Sequence, residues 1–537
     1  MATAVHRDRV EPPDAGTAED DRSVDGQHDA TTDETILQSI KAHPKVIMYS
    51  VFMTVGPLIY GFDNIIVGLV TAVPAFQEIF GRLHNGSYII PSIWLSLWNA
   101  FVQIGIMVGS VINGSLSDRF GRRLSFITGA LIAVASIAFL YTADRAETLD
   151  QRRGIFLLGK TLLGVGLGML NSTCQTYISE IAPTRLRGPL LSIFTFFMVL
   201  GQLIGVAIIY ARINMPTSGS YRVAFASQWA FAGLAVIVGL AVPESPSYYL
   251  KKGKVEQACH AYGRLYEAST VDAGIRDLAN TLESENRRNE VVQETNYKEL
   301  FQGTNWRRTR IILWANIFQQ FLGITLLSNV SYFLELAGMS ASKSLMITQL
   351  GVGLGLPANV VSWFAMTMLG RRTILLFSTS TVGVFWLGIG VAGCWPDSSK
   401  ALWFIGVMII IIIFFYGLGV GGAYPVVAGE VSSVRLRAKS QGLGFLVNGF
   451  FSWAFNFFVP YMFNADEANL GGKMGFFFFG LCAIGAVVIF LEIPETKGRT
   501  YAELDEMFEK RLPTRQFSTY VCQDALDIRE NEKGLEA

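Results

Sequence analysis

Histidine and cysteine are scarce in this 537-residue chain, with five of each. Cys174, Cys259, Cys394, Cys482 and Cys522 show no metal or disulfide spacing, so neither a metal site nor a disulfide framework is expected. His6, His28, His43, His84 and His260 all lie outside the long apolar blocks. A histidine proton relay within those blocks is thereby excluded. Charge is thin as well, at 16% of residues, where ordinary soluble domains carry roughly 25%. The 43 Lys+Arg balance the 43 Asp+Glu, and a chain of zero net charge has no basic footprint for nucleic acid. No nucleophile–base pair or metal cluster occurs in the apolar blocks, so an enzyme is not expected.

What the chain does have is apolar length. Hydrophobic residues make up 51% of it, with 38 Phe and 53 Gly. They gather into twelve blocks, at roughly 48–73, 93–113, 124–142, 155–178, 190–211, 225–242, 310–336, 344–369, 373–395, 402–428, 441–463 and 474–493. Blocks of about 20 residues match a ~30 Å hydrocarbon core. Helices satisfy their own backbone hydrogen bonds in lipid, and the alternating pattern of a membrane barrel is absent. The reading is an all-α membrane protein of twelve transmembrane helices.

Residues 1–45 hold ten Asp/Glu and five Lys/Arg and read as a disordered tail. No charged start with a short apolar run precedes the first block, which is therefore expected to direct insertion itself. With the N-terminus cytoplasmic, the short inner loops 114–123, 181–189, 370–372 and 429–440 hold ten Lys/Arg in 34 residues, against nine in 66 for the outer loops. Positive-inside bias then puts both termini in the cytoplasm. Of the Asn-x-Ser/Thr sites only Asn85 falls in an outer loop, as a glycosylation candidate.

A repeat runs through the chain. Ser179-Glu180-Ile181-Ala182-Pro183-Thr184-Arg185-Leu186-Arg187-Gly188 parallels Gly429-Glu430-Val431-Ser432-Ser433-Val434-Arg435-Leu436-Arg437-Ala438 at offset 250. Gly121-Arg122-Arg123 parallels Gly370-Arg371-Arg372, and Pro243-Glu244-Ser245 parallels Pro494-Glu495-Thr496, at nearly the same offset. The expected organisation is a tail (1–45), a six-helix half (46–242), a linker with short helices (243–309), a second six-helix half (310–493) and a C-terminal tail (494–537), with 513–537 disordered. Two parallel repeats around a mid-membrane site are the plan of a rocking transporter. The capping-box start Thr500-Tyr501-Ala502-Glu503 predicts a further helix.

These motifs carry a resemblance. Gly114-Ser115-Leu116-Ser117-Asp118-Arg119-Phe120-Gly121-Arg122-Arg123 resembles the helix 2–3 signature of the major facilitator superfamily. Pro243-Glu244-Ser245-Pro246, Pro494-Glu495-Thr496-Lys497-Gly498 and Gln319-Gln320-Phe321-Leu322-Gly323 resemble sugar porter signatures. Ser331-Tyr332-Phe333-Leu334-Glu335-Leu336-Ala337-Gly338, Lys160 and the ending 500–510 are similar to the fungal α-glucoside (maltose-type) proton symporters. The resemblance covers about 45–512. It implies the major facilitator fold of two pseudo-symmetric halves. It also implies a secondary active transporter that moves an α-glucoside or hexose with a proton by alternating access. The implied protein is a plasma-membrane monomer in contact with lipid, with the proton as coupling ion and no other cofactor. The alternatives are a non-sugar cargo, a proton-independent facilitator or a nutrient sensor.

Asp63, deep in the first block, is the candidate proton site. A carboxylate at that depth costs several kcal/mol unless paired, protonated or wet, and is a functional candidate by default. Lys160, in the fourth block, is its expected partner, and a static ion pair fixing helix packing is the competing reading. Lys is a point charge where many family members have Arg. Sugar hydroxyls need donors and acceptors in fixed geometry, and aromatic faces cover the apolar side of the ring. By resemblance Gln202, Gln319, Gln320, Thr325, Asn329, Tyr424 and Asn448 line the substrate site, although a lone intramembrane amide also serves as interhelical glue. Thr325 stands where the family usually has Asn, Ser328-Asn329 replaces a tyrosine pair, and Pro425 replaces an aromatic. Asp118, Arg119, Arg122, Arg123, Glu180, Arg185 and Arg187 form one inner cluster. Arg371, Arg372, Glu430, Arg435 and Arg437 form the other. By resemblance both are latches closing the cytoplasmic side, and plain positive-inside residues are the alternative. Thr367 stands where an acid would complete the second cluster, so that latch is expected to be the weaker.

Overall fold

The computed structural model describes residues 36–84, 86–213, 219–266, 271–293, 297–433, 436–499 and 501–520. Among them, eleven helices are long and apolar enough to cross a membrane: Pro44–Val70, Ser92–Phe120, Arg122–Arg145, Leu149–Ile181, Ile193–Tyr210, Gly219–Ala241, Ala341–Met366, Arg371–Ala392, Ser399–Val431, Lys439–Phe463 and Gly471–Glu492. In chain order they are spans 1–6 and 8–12. Span 7 is the exception. The continuous block expected at 310–336 is three helices, Gly303–Phe321, Ile324–Ser328 and Val330–Leu336. Gly323 ends the first with φ +85°, a left-handed conformation that costs glycine no Cβ clash. Asn329 (φ −109°, ψ 17°) makes the second break. The protein is a multi-pass membrane protein.

The repeat is visible in the packing. Span 2 lies against span 4 and span 3 against span 6; span 8 lies against span 10 and span 9 against span 12. The halves meet where span 2 packs on span 11 and span 5 on span 8. Short helices occupy the linker at Pro246–Lys251, Val255–Leu265 and Val271–Gln293. Between spans 1 and 2 a small hairpin pairs Arg82–His84 antiparallel with Ser87–Ile89, Leu83 opposite Tyr88. Asn85 lies outside the described residues.

Both tails are shorter than expected. The helices Ile36–Ala42 and Pro44–Met53 begin inside the segment read as disordered, and Val46 is fully buried. At the other end the helix Tyr501–Glu509 and the turn Thr514–Gln516 dock on the second half. There Arg307 donates to the Leu512 carbonyl at 2.6 Å and to Thr514 Oγ1 at 3.0 Å, and Phe517 is fully buried. The polar composition of 513–520 concealed one apolar anchor and the carbonyls that arginines seek. Thr500, the expected cap of that last helix, lies outside the described residues.

Candidate functional site

Span 1 carries Asp63 into the body of the first half, and span 4 carries Lys160 to meet it. A capping box starts span 4: Thr148 accepts from the Gln151 backbone N–H, and the Gln151 side chain accepts from the Thr148 N–H. Lys160 Nζ donates to Asp63 Oδ1 at 2.7 Å and Oδ2 at 2.8 Å, and each side chain is only 1% exposed. A dry pair of this kind is a poor source of net stability, but removing one partner costs ~3–5 kcal/mol because a buried charge is left alone. Gln228 on span 6 is a second donor and adds a third hydrogen bond, Nε2 to Asp63 Oδ1 at 3.3 Å. Tyr60, one turn before Asp63, lies within electrostatic reach of both Asp63 and Tyr424.

The amides gather around the breaks of span 7. Thr325 Oγ1 donates to Gln320 Oε1 at 3.0 Å, and Asn329 Nδ2 donates to the Thr325 carbonyl at 3.0 Å. Gln319 Oε1 accepts from the Tyr416 hydroxyl at 3.3 Å, and Tyr424 neighbours Gln319. Two bonds cross to the first half: Asn99 Nδ2 to Asn329 Oδ1 at 3.3 Å, and Asn64 Nδ2 to Ser328 Oγ at 3.5 Å. Asn448 on span 11 donates to the Asn316 carbonyl at 3.2 Å, two turns before Gly323. The structure thus brings Gln319, Gln320, Thr325, Asn329 and Tyr424 together and sets Asn448 beside them. Gln202 is half-buried on span 5, and among the described residues no hydrogen bond ties it to this group. Asn64, Asn99, Gln228, Tyr60 and Tyr416 were missed. Each is a polar group within an apolar block, and a count of every intramembrane amide and phenol would have found them.

The inner clusters repeat. Arg122 gives Nε and Nη2 to Glu180 Oε1 at 3.1 and 2.8 Å, Nη1 to the Ser117 carbonyl at 2.9 Å and Nη2 to Asp118 at 3.3 Å. Arg371 gives Nη2 to Glu430 Oε1 at 2.9 Å, and Glu430 Oε2 accepts from Thr496 Oγ1 at 2.6 Å. Glu244 accepts from the backbone N–H groups of Arg122 and Arg123, as Glu495 does from those of Arg371 and Arg372. Burial pushes the Glu244 carboxyl above its usual range, against the pull of those N–H donors. Gly121 and Gly370 have φ +98° and +91°, and a Cβ on either would strike the carboxylate of Glu244 or Glu495. Arg123 and Arg372 donate to helix-end carbonyls, Leu240 at 2.6 Å and Phe490 at 2.8 Å. The Arg119 guanidinium lies 5.3 Å from the Phe120 ring centre, and Arg437 Nε donates to Ser432 Oγ at 3.2 Å. Arg435 and the side chains of Arg185 and Arg187 lie outside the described residues. Among the described residues, the bonds named here stay within one half.

Besides the bonds at the break of span 7, side-chain ties between the halves gather at the span ends opposite the arginine clusters. Asp466, its side chain 3% exposed, accepts from Arg82 at 2.9 Å, from the Ser92 N–H at 3.1 Å and from the Ser92 hydroxyl. Asn464 donates to the Ile90 carbonyl at 2.7 Å, and the Tyr332 hydroxyl accepts from the Ile90 N–H at 3.2 Å. Gln77 Nε2 donates to Glu335 at 3.0 Å. These ties hold the halves together at the span ends opposite the arginine clusters.

Comparison with known proteins agrees with this architecture. The family model described as "Sugar (and other) transporter" matches residues 49–508. The chain is 31% identical over 521 residues to the MFS transporter fmqE of Aspergillus fumigatus, covering 92% of this chain and 95% of that protein. It is 28% identical over 511 residues to the general alpha-glucoside permease of Saccharomyces cerevisiae, covering 93% and 81%. Among solved structures it superposes on the inward-open xylose transporter XylE of E. coli with TM-score 0.70 and 19% identity, covering 86% of this chain and 99% of that one.

Proposed function

The chain belongs to the family of sugar (and other) transporters, and from that premise we propose that it moves a sugar, an α-glucoside or hexose, together with a proton. The observation that supports this most is one adjacency. Tyr60 is within electrostatic reach both of Asp63, in its buried pair with Lys160, and of Tyr424, which neighbours Gln319 at the amide-lined break of span 7. In this reading Asp63 is the proton acceptor. Protonation removes the attraction that ties spans 1 and 4, and Lys160 neutralises the carboxylate once the proton has left. A proton drives transport only by binding one conformation better than the other. Gln319, Gln320, Thr325 and Asn329 bind hydroxyls, Tyr416 and Tyr424 cover the ring, and the halves rock about this site. Kinship to a general alpha-glucoside permease favours a glucoside over a free pentose.

The same reading puts the protein in the plasma membrane as a monomer among lipids, with both termini cytoplasmic. It needs no cofactor beyond the proton and offers nothing to nucleic acid. A second cargo class has its own support. Ser328 and Asn329 stand where the family has a tyrosine pair, and the 31%-identical relative is named only as a transporter. A non-sugar small molecule fits those facts. The deciding experiment is uptake of labelled glucose, maltose, trehalose and a plant glycoside by yeast lacking its own sugar carriers, with external pH recorded. Disaccharide uptake with alkalinisation supports sugar–proton symport. No sugar uptake by protein verified at the surface overturns the sugar reading and leaves the non-sugar one.

A further inference from the structure

Asp63 has a second hydrogen-bonding partner with a group to spare. Gln228 is fully buried on span 6, and its Nε2 donates to Asp63 Oδ1 at 3.3 Å. Its Oε1 is buried too, with no hydrogen-bond partner among the described residues. An unused buried carbonyl carries the desolvation cost of a lost hydrogen bond, and this one sits on the same terminal amide that touches the carboxylate. We infer that Gln228 is the positioning residue of the proton site. It presents Nε2 to charged Asp63, and by turning its terminal amide it presents Oε1 to protonated Asp63.

The hydrogen-bond balance of the protonated state requires such a group. With Asp63 ionised, Lys160 binds both its oxygens and the pair is neutral. When a proton from water binds one oxygen, a new O–H needs an acceptor and the Lys160 ammonium loses its counter-ion, so the site carries one positive charge. No second carboxylate is described at the pair. The charged or titratable groups facing Asp63 are Lys160 from span 4 and Tyr60 from its own helix, with Tyr424 of span 10 beyond Tyr60. Gln228 is the neutral acceptor in reach. An amide has a donor and an acceptor at opposite corners, so half a turn about one bond serves both protonation states without moving a helix. Glutamine therefore fits this position where leucine, equally buried, would strand the proton.

This inference rests on Asp63 being the proton site, and the test separates the two. The full-length protein in liposomes is examined by infrared difference spectroscopy across pH, and proton-coupled uptake is measured in parallel. The wild type shows a carboxyl C=O band that Asp63→Asn removes. In Gln228→Met that band moves to higher frequency as its hydrogen bond is lost, and uptake falls about tenfold, the equivalent of one buried hydrogen bond, at an unchanged pH midpoint. Gln228→Glu, a donor and acceptor when protonated and an acceptor when ionised, restores uptake, with the midpoint raised by about one pH unit because two ionised carboxylates repel each other. An unchanged band in a folded Gln228→Met protein overturns the inference alone. So does a midpoint that rises in Gln228→Met without loss of rate, since Gln228 would then serve only the charged state. If Gln228→Met does not fold, an unmoved midpoint in Gln228→Glu overturns it. Absence of any Asp63-dependent band in the wild type overturns the proton-site reading and this inference with it.

Discussion

The two halves share a rim but not an interior. Arg122, Glu180 and Glu244 of the first half have Arg371, Glu430 and Glu495 as counterparts, down to the backbone N–H groups each glutamate accepts. The buried ion pair has no such twin. At the repeat offset Lys160 falls among Ile409, Ile410 and Ile411. Among the described residues the ion pairs of the second half, Arg310–Glu492 and Arg371–Glu430, sit at the inner ends of its spans. That half instead holds Gln319, Gln320, Thr325 and Asn329. A duplicated fold needs its packing and its rim twice, but a rocking carrier needs one proton site and one cargo site. The proposed division follows: the first half titrates and the second half recognises.

Breaking the charged half gives the largest effect. Asp63→Asn should bring the accumulation ratio of the transported sugar to about one, because no proton then prefers either conformation, while counterflow exchange persists. Full pH-dependent accumulation by this variant would refute the proton-site role. Making the first half resemble the second comes next. Lys160→Ile strands Asp63 and should cost ~3–5 kcal/mol, read as a lower Tm in detergent. Adding Asp63→Asn to it should recover most of that loss, and no recovery would mean that Lys160 acts by packing rather than charge.

Smaller effects test the rim. Arg122→Ala should destabilise more than Arg371→Ala, by about 1 kcal/mol in denaturant or thermal melts, because Arg122 binds Asp118 and a close Ser117 carbonyl as well as Glu180. Equal losses would show that the extra partners contribute nothing. Thr367→Asp supplies the acid that the second cluster lacks, at the i−4 position Asp118 holds before Arg122. It should add less than ~1 kcal/mol, since Asp118 is itself 78% exposed. A gain well above that in a thermal melt would mean the second rim is drier than the first.

Twelve spans, the repeat and the arginine clusters were legible because each is a local property: apolar length, loop charge, or a motif repeated at one offset. Asp63 and Lys160 were legible as candidates because charge inside an apolar block has a cost that demands a reason. Gln228 and Asn99 were not. An isolated amide in a helix has many uses, and only the helix facing it says which. The breaks of span 7 were also hidden, since Gly323 and Asn329 interrupt the helix without interrupting the hydropathy.

The sequence by itself determined that this chain crosses a membrane twelve times, as a repeated unit with basic loops on one face. Hydrophobic length and charge act segment by segment and need no partner. Tertiary structure alone decided that Lys160 meets Asp63 with Gln228 beside it, that amides of both halves close on the break of span 7, and that Asp466 and Glu335 tie the halves at the span ends opposite the arginine clusters. A hydrogen bond depends on distances of a few tenths of an ångström between helices far apart in the chain, and those distances exist only after the helices have packed.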